Sequence, residues 1–483
     1  MRHKRKVAIA LGAAILLIAT VACWQMREPA PDTRFNGSYR LADGELAFVV
    51  PYRGEELRLA VPARGERRPL VPIGALRYEV GSAGTPTPPS EQVAEEVVFR
   101  LDETGRPMGF LRHRAGGDTI AAERIELPEE RIVLHSDGYE LRAKLVLPPA
   151  EEGTFRGGPA TRHPAAVIVH GSGKESAVDQ FDDPYLLAPH GIATLVFDKR
   201  GTGGSQGTYT QNFLVLARDV IAAVEELRRR PDVDPRAIHL VGYSQGGWIA
   251  PLAASRTTGI RSIVVGYGPM VPIVEEDRWG YVYTLGKKGF GDEAMAEADR
   301  LHELLVRIID HGEKERWGEL KRALAEAEEK PWFDAVADSD STLGFLSSNR
   351  WVPLWAVRLY GAWMMRSIDG EPRADRLYDP VPVVAGLEMP SLWIFGGDDH
   401  SMPTDWTVRE LRRLEAAGAP VEVEIYPLAD HGIVLYDTEG DDRRFIGYPP
   451  GYMPGIVSWL QRHSGSTDGG ASPEGGPRPP GLP

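Results

Sequence analysis

The sequence predicts an α/β protein: a mostly parallel sheet, doubly wound by helices, interrupted by a helical cap and preceded by a small antiparallel β domain. From residue 165 onward the runs "AAVIVHG", "IATLVFD", "AIHLVGY", "RSIVVGYG", "PSLWIFGG" and "VEVEIYP" are short, apolar and without alternation. Strands buried on both faces of a parallel sheet have this pattern. Helical stripes lie between several of these runs. Residues 35–118 instead hold shorter runs of alternating character, parted by Gly, Pro and charged turns, which is how antiparallel strands read.

The elements follow in order. "MRHKRK" is basic, and the apolar run "VAIALGAAILLIATVA" (7–22) is too short for a spanning helix and reads as a secretory signal. It ends at Cys23, the only cysteine. "ATVAC" resembles the bacterial lipoprotein signal, which implies cleavage before Cys23 and a lipid on its thiol; the alternative is an uncleaved signal anchor. Either places the body outside the cytoplasm, secreted or membrane-anchored in a cell envelope. A lone cysteine forms no intrachain disulfide, so packing must supply the stability.

The organisation expected is therefore a signal at 1–23, a tether at 24–34 and the β domain at 35–118. A first core segment at 119–268 begins with a hairpin around Ser136-Asp137-Gly138. A helical cap at 269–380 accounts for a gap of about 120 residues between strand patterns, too long for a loop. A second core segment spans 381–463, and 464–483 is a disordered tail. Within the core, Leu216, Val220, Val224 and Leu227 form one helical stripe that Pro231 ends, and the helix of 405–418 stops at Gly418.

Two stretches fit Gly-x-Ser-x-Gly: "GYSQG" around Ser244 and "GGSQG" around Ser205. Ser205 sits in a glycine-filled loop with no helix after it. Ser244 follows a buried strand directly and precedes a helical apolar face. A nucleophilic serine needs that turn, which exposes Oγ at the strand's end and aims the helix's N–H groups at a developing oxyanion. Ser244 is the expected nucleophile and Ser205 a structural residue.

The serine requires a base. Of the histidines after it, His302 and His311 fall in the cap, where a solvated position is the ordinary expectation, and His463 in a last helical turn. His431, in "YPLADHG" past a buried strand, lies on the edge where open α/β sheets meet ligands. "WIFGGDDHSMP" (393–403) reaches the same edge and offers Asp398 and Asp399 as the acid that orients the imidazole. Asp430 is expected to bond locally to backbone, and His400 to point away.

These motifs resemble the α/β-hydrolase family, over most of 126–463. Gly396, Asp399 and Pro403 match the spacing in which that family carries its acid, which favours Asp399 over Asp398. "VIVHGSG" resembles the family's oxyanion loop, implying one donor N–H from Gly171 or Ser172 and another from Gln245. "DKRGTGGS" resembles a structural turn in which Asp198 and Arg200 hold loops together. With the β domain ahead, the series is similar to secreted bacterial esterases and, more distantly, to prolyl-oligopeptidase-like peptidases.

The net charge of −14 argues against a nucleic-acid partner. "GSGKES" fails as a phosphate loop and "DSDSTLGF" as a calcium loop, so neither a metal nor a cofactor is inferred. The expected function is a serine hydrolase cleaving carboxylic esters through an acyl-enzyme. The alternatives are a peptidase or aminopeptidase using the same triad, and a non-catalytic tethered binding protein. Glu275, Glu276 and Asp277 offer a place for a substrate amine, against the more ordinary reading of a solvated helix face. Trp351, Trp355, Trp363, Met364 and Met365 are candidates to line an acyl pocket, or to pack the cap onto the body.

Overall fold

A computed structural model describes residues 32–52, 56–81, 95–150, 162–350, 352, 355, 359, 367–368, 371–372, 374–439 and 442–465. The signal segment with Cys23, the residues Trp351, Trp363, Met364 and Met365, and the tail beyond 465 lie outside the described residues. The chain divides into two compact units.

The first unit is a closed antiparallel barrel of eight strands, from β1 (Gly37–Leu41) to β8 (Thr119–Arg124). β8 lies past the boundary expected at 118. The "GG" turn at 116–117 reads as an end, but the sheet closes only when Tyr39, Arg40 and Leu41 pair with Arg124, Glu123 and Ala122. Alternation along the strands turns Tyr39, Phe99 and Phe110 into a buried core, where Phe35 stacks on Phe99 at 3.9 Å and Tyr39 Oη donates to the Phe35 carbonyl at 2.6 Å.

The second unit carries an eight-stranded sheet. Its strands are β9 (Glu129–Ser136), β10 (Tyr139–Val146), β11 (His163–Val169), β12 (Ala193–Phe197), β13 (Val233–Tyr243), β14 (Ile260–Gly266), β15 (Ser391–Gly396) and β16 (Val421–Tyr426). Their spatial order is β16-β15-β14-β13-β11-β12-β10-β9. The pairs from β12 to β16 are parallel, and β9–β10 is the hairpin read around Asp137 and Gly138, both at positive φ. β11 to β15 are almost wholly buried, as their apolar runs require. β16 is not: only Val421 is buried. It is an edge strand, and the glutamates of "VEVEIYP" mark the exposed positions that a reading as a fully buried strand passed over.

Helix α1 (Phe213–Arg229) buries the predicted stripe of Leu216, Val220, Val224 and Leu227. Helix α2 (Gly246–Ala254) follows β13, and its apolar residues join the same core. The 267–390 region holds α3 (Ile273–Lys287), α4 (Asp292–Ile309) and α5 (Trp317–Ala327) around a core of their own, which includes Tyr281, Leu305 and Phe333. Helix α6 (Thr404–Ala416) ends before Gly418, at φ +97°, and α7 (Tyr452–Ser464) closes the unit.

Two expectations about the cap are corrected. His302 is not solvated; it is buried, with Nε2 3.0 Å from Asp277 Oδ2. Nor is Asp277 on a solvated face. It also accepts from Thr342 N at 2.6 Å and pairs with Arg376 at 3.2 Å, while Arg376 pairs with Asp310 at 3.1 Å. A carboxylate packed between helices needs such partners, because a buried charge without them costs several kcal/mol. Burial pushes the Asp277 carboxyl up, but His302 and Arg376 outweigh it and hold the group below its usual range.

Candidate active site

The strand-to-helix turn after β13 sets the site. Ser244 stands at φ +52°, a left-handed conformation that a residue with a side chain adopts only when its surroundings hold it there. Two glycines make the turn possible. A Cβ on Gly242 would lie 2.5 Å from the Gly246 carbonyl oxygen, and one on Gly246 would lie 2.4 Å from that of Val169. The turn places Ser244 at the C-terminal edge of the sheet, directly before the N-terminus of α2.

The ends of β15 and β16 bring the other groups to that edge. His431 Nε2 lies 3.1 Å from Ser244 Oγ, and His431 Nδ1 lies 2.9 Å from Asp399 Oδ2 and 3.1 Å from Oδ1. The Asp399 side chain is fully buried and the imidazole about one-fifth exposed. Asp399 Oδ1 also accepts from the backbone of Ser401 at 2.8 Å and Met402 at 3.0 Å, which fixes the carboxylate facing the ring. Tyr267 packs edge-on against His431 at 4.9 Å.

The competing residues go elsewhere. Asp398 accepts from Tyr283 Oη at 3.1 Å and Lys287 Nζ at 2.8 Å, both on α3. Asp430 accepts from the backbone N–H of His400 (3.0 Å) and His431 (2.7 Å), as expected, and its Oδ1 also lies 2.7 Å from His400 Nδ1. His400 thus turns to Asp430 and lies 6.4 Å, ring to ring, from His431. His463 Nδ1 meets the Trp459 carbonyl one turn back, at 2.9 Å. Ser205 Oγ donates to the Asp198 carbonyl at 2.7 Å and accepts from Arg142 N at 2.9 Å. Asp198 accepts from Ser176 Oγ, Val178 N and Gly204 N, and Arg200 Nε donates to Asp219 at 2.8 Å, so this turn ties several loops.

The backbone of Gly171 and of Gln245 lies beside the serine. A Cβ on Gly171 would lie 3.4 Å from Ser244 Cβ and 3.9 Å from Oγ. Gln245 is buried at the start of α2, next to the serine, where the helix dipole is positive. Of the cap aromatics, Trp355 is 65% exposed.

Sequence reasoning missed three neighbours. Trp279 on α3 donates its indole N–H to the Asp399 carbonyl at 3.1 Å. Lys199 donates to the Gly171 carbonyl at 2.6 Å, and Tyr209 Oη to the Ser172 carbonyl at 2.7 Å. All three act on main-chain carbonyls, which no sequence pattern displays.

This constellation can deprotonate a serine hydroxyl and hold the resulting imidazolium against a buried carboxylate. A family model described as "Alpha/beta hydrolase family" matches residues 166–443. The thiohydrolase aneE of Aspergillus aculeatus is 27% identical over 247 residues, 46% of this chain and 70% of its own. Prolyl endopeptidase FAP of Bos taurus is 27% identical over 175 residues, and the match covers 34% of this chain but only 22% of that protein. The acylaminoacyl peptidase structure of Pyrococcus horikoshii aligns with 89% of this chain and 56% of its own, at 15% identity and a TM-score of 0.43. With a family match over more than half its length, on the sheet that carries the serine, the histidine and the aspartate, the chain belongs to the alpha/beta hydrolase family.

Proposed function

We propose that this hydrolase cleaves carboxylic esters through an acyl-enzyme on Ser244. The observation that carries the reading is the continuous chain of contacts from Ser244 Oγ through His431 to buried Asp399. Ser244 Oγ attacks the acyl carbon and its proton passes to His431 Nε2. Asp399 keeps Nδ1 protonated and stabilises the imidazolium. The N–H groups of Gln245 and of Gly171 or Ser172 receive the oxyanion; one such donor is typically worth about a hundredfold or more in rate. The intermediate collapses, the leaving alkoxide takes the proton from Nε2, and water then repeats the cycle in reverse to free the acid. No cofactor enters this cycle. We further propose Cys23 as the lipid attachment point that tethers the enzyme to an extracytoplasmic membrane surface, and Trp355 as a contact for the acyl chain.

One observation favours a second reading, hydrolysis of aminoacyl amides. Glu276 on α3 is half-buried, and no hydrogen bond or ion pair joins its carboxyl to a described residue. Burial and the charges of Asp399, Asp340 and Asp277 push its carboxyl up to about 8. A substrate ammonium would supply the missing counter-charge. A panel of p-nitrophenyl esters against aminoacyl p-nitroanilides separates the readings: ester turnover is expected, and cleavage of the anilides alone would replace it. Fluorophosphonate labelling is expected on Ser244, lost in Ser244→Ala and kept in Ser205→Ala; an unlabelled wild type would leave only a binding role.

A further inference from the structure

The loop that carries the second Gly-x-Ser-x-Gly pattern also reaches the active serine's surroundings. Lys199, two residues past β12, is 2% exposed. Its ammonium donates to the Gly171 carbonyl and lies 5.3 Å from the centre of the Tyr209 ring. Tyr209 in turn donates to the next carbonyl, that of Ser172, and its Oη accepts from Gln211 Nε2 at 3.0 Å. Two successive carbonyls, beside Ser244, are therefore held by two side chains that touch each other.

A trans peptide unit is planar, so its C=O and N–H point in opposite directions. Fixing the Gly171 carbonyl on Lys199 thereby fixes the direction of the Ser172 N–H. We propose that Lys199 is a positioning residue for the oxyanion loop, acting through the Gly171 carbonyl, with Tyr209 as the second half of the clamp. This rests on the serine-hydrolase reading above. The clamped Gly171 oxygen is two covalent bonds from the candidate donor nitrogen of Ser172.

The charge state of the amine matters to this clamp. Burial lowers the Lys199 ammonium from 10.5 to about 7, with Glu175 opposing the shift. The other titratable groups facing it are His170, which burial and Lys199 itself hold well below its ordinary range, and Tyr209, whose ring also carries Lys174 at 4.8 Å. A charged donor grips a carbonyl more strongly than a neutral amine does. The ammonium prevails below its pKa and is lost as pH rises through about 7.

The test measures kcat and KM for a p-nitrophenyl ester from about pH 5 to about pH 10, with fluorophosphonate labelling rates, on the full chain. The variants are Lys199→Met and Tyr209→Phe. In Lys199→Met, kcat is expected to fall roughly tenfold to a hundredfold with KM changed less than about threefold. Wild-type kcat is expected to decline as pH rises through about 7, and Lys199→Met is expected to show no such decline. Tyr209→Phe, which deletes one hydroxyl, should lower kcat by about threefold to tenfold and carries the test if Lys199→Met does not fold. Wild-type kcat in both variants, or an alkaline decline that persists in Lys199→Met, overturns the proposal. A wild type that the fluorophosphonate does not label would instead overturn the underlying serine-hydrolase reading.

Discussion

The turns at 242–246 and 203–207 spell nearly the same thing, yet they do different work. In the first, the backbone forces Ser244 to positive φ and its hydroxyl meets an imidazole. In the second, the positive-φ positions are glycines, Gly203 at φ +51° and Gly207 at φ +90°, which take that conformation without strain. Ser205 spends its hydroxyl on main chain, bridging the Asp198 carbonyl and the Arg142 N–H. The pattern alone specifies small residues around a serine. What decides chemistry is whether a strand delivers the serine to an edge where other strand ends bring a base.

Exchanging each serine breaks the comparison most directly. Ser244→Ala should abolish ester turnover, by about a millionfold in kcat for a working triad, with little change in Tm. Ser205→Ala should leave turnover within a few-fold but cost about 1–3 kcal/mol in denaturant unfolding, because the Arg142 N–H loses its acceptor. Equal losses of activity in the two variants would erase the distinction. Asp399→Asn should lower kcat by about ten-thousandfold while the fold persists, since an amide cannot hold the protonated Nδ1 in the same way.

Two weaker changes sharpen the contrast in stability. Arg200→Met removes one partner of a pair whose other member, Asp219, is fully buried, and should cost about 3–5 kcal/mol by urea titration. Asp137, at the hairpin turn, gives a pH signature. Burial opposes ionisation there, but Arg218 and Arg200 outweigh it and lower its pKa. A carboxyl lowered on folding stabilises above its unfolded pKa and loses that contribution as pH falls through its folded value. Asp137→Asn should therefore narrow the stability gap between pH 7 and about pH 3, seen as a smaller acid shift in Tm.

These expectations mix what was legible in the chain with what was not. β11 to β15 were legible because burial on both faces leaves an uninterrupted apolar run, and Ser244 and Asp399 because each stands just past the end of such a run, whereas His431 follows the edge strand β16. Barrel closure was not, since β8 finds β1 about 80 residues back through hydrogen bonds that any side chains permit. The buried cap network escaped for a related reason: Asp277, His302 and Arg376 each look like surface residues until distant helices bring them together. Lys199 was hidden because its partner is a carbonyl, a group every residue possesses.

Asp398 and Asp399 are adjacent, but they answer to different masters. The carboxylate of 399 belongs to the imidazole, while its main-chain oxygen and the carboxylate of 398 hold the first cap helix through Trp279, Tyr283 and Lys287. Anchoring of the helix and orientation of the imidazole thus fall to separate atoms of one dipeptide. Altering the side chain at 398 would loosen the hold on that helix while leaving the Asp399–His431 contact in place.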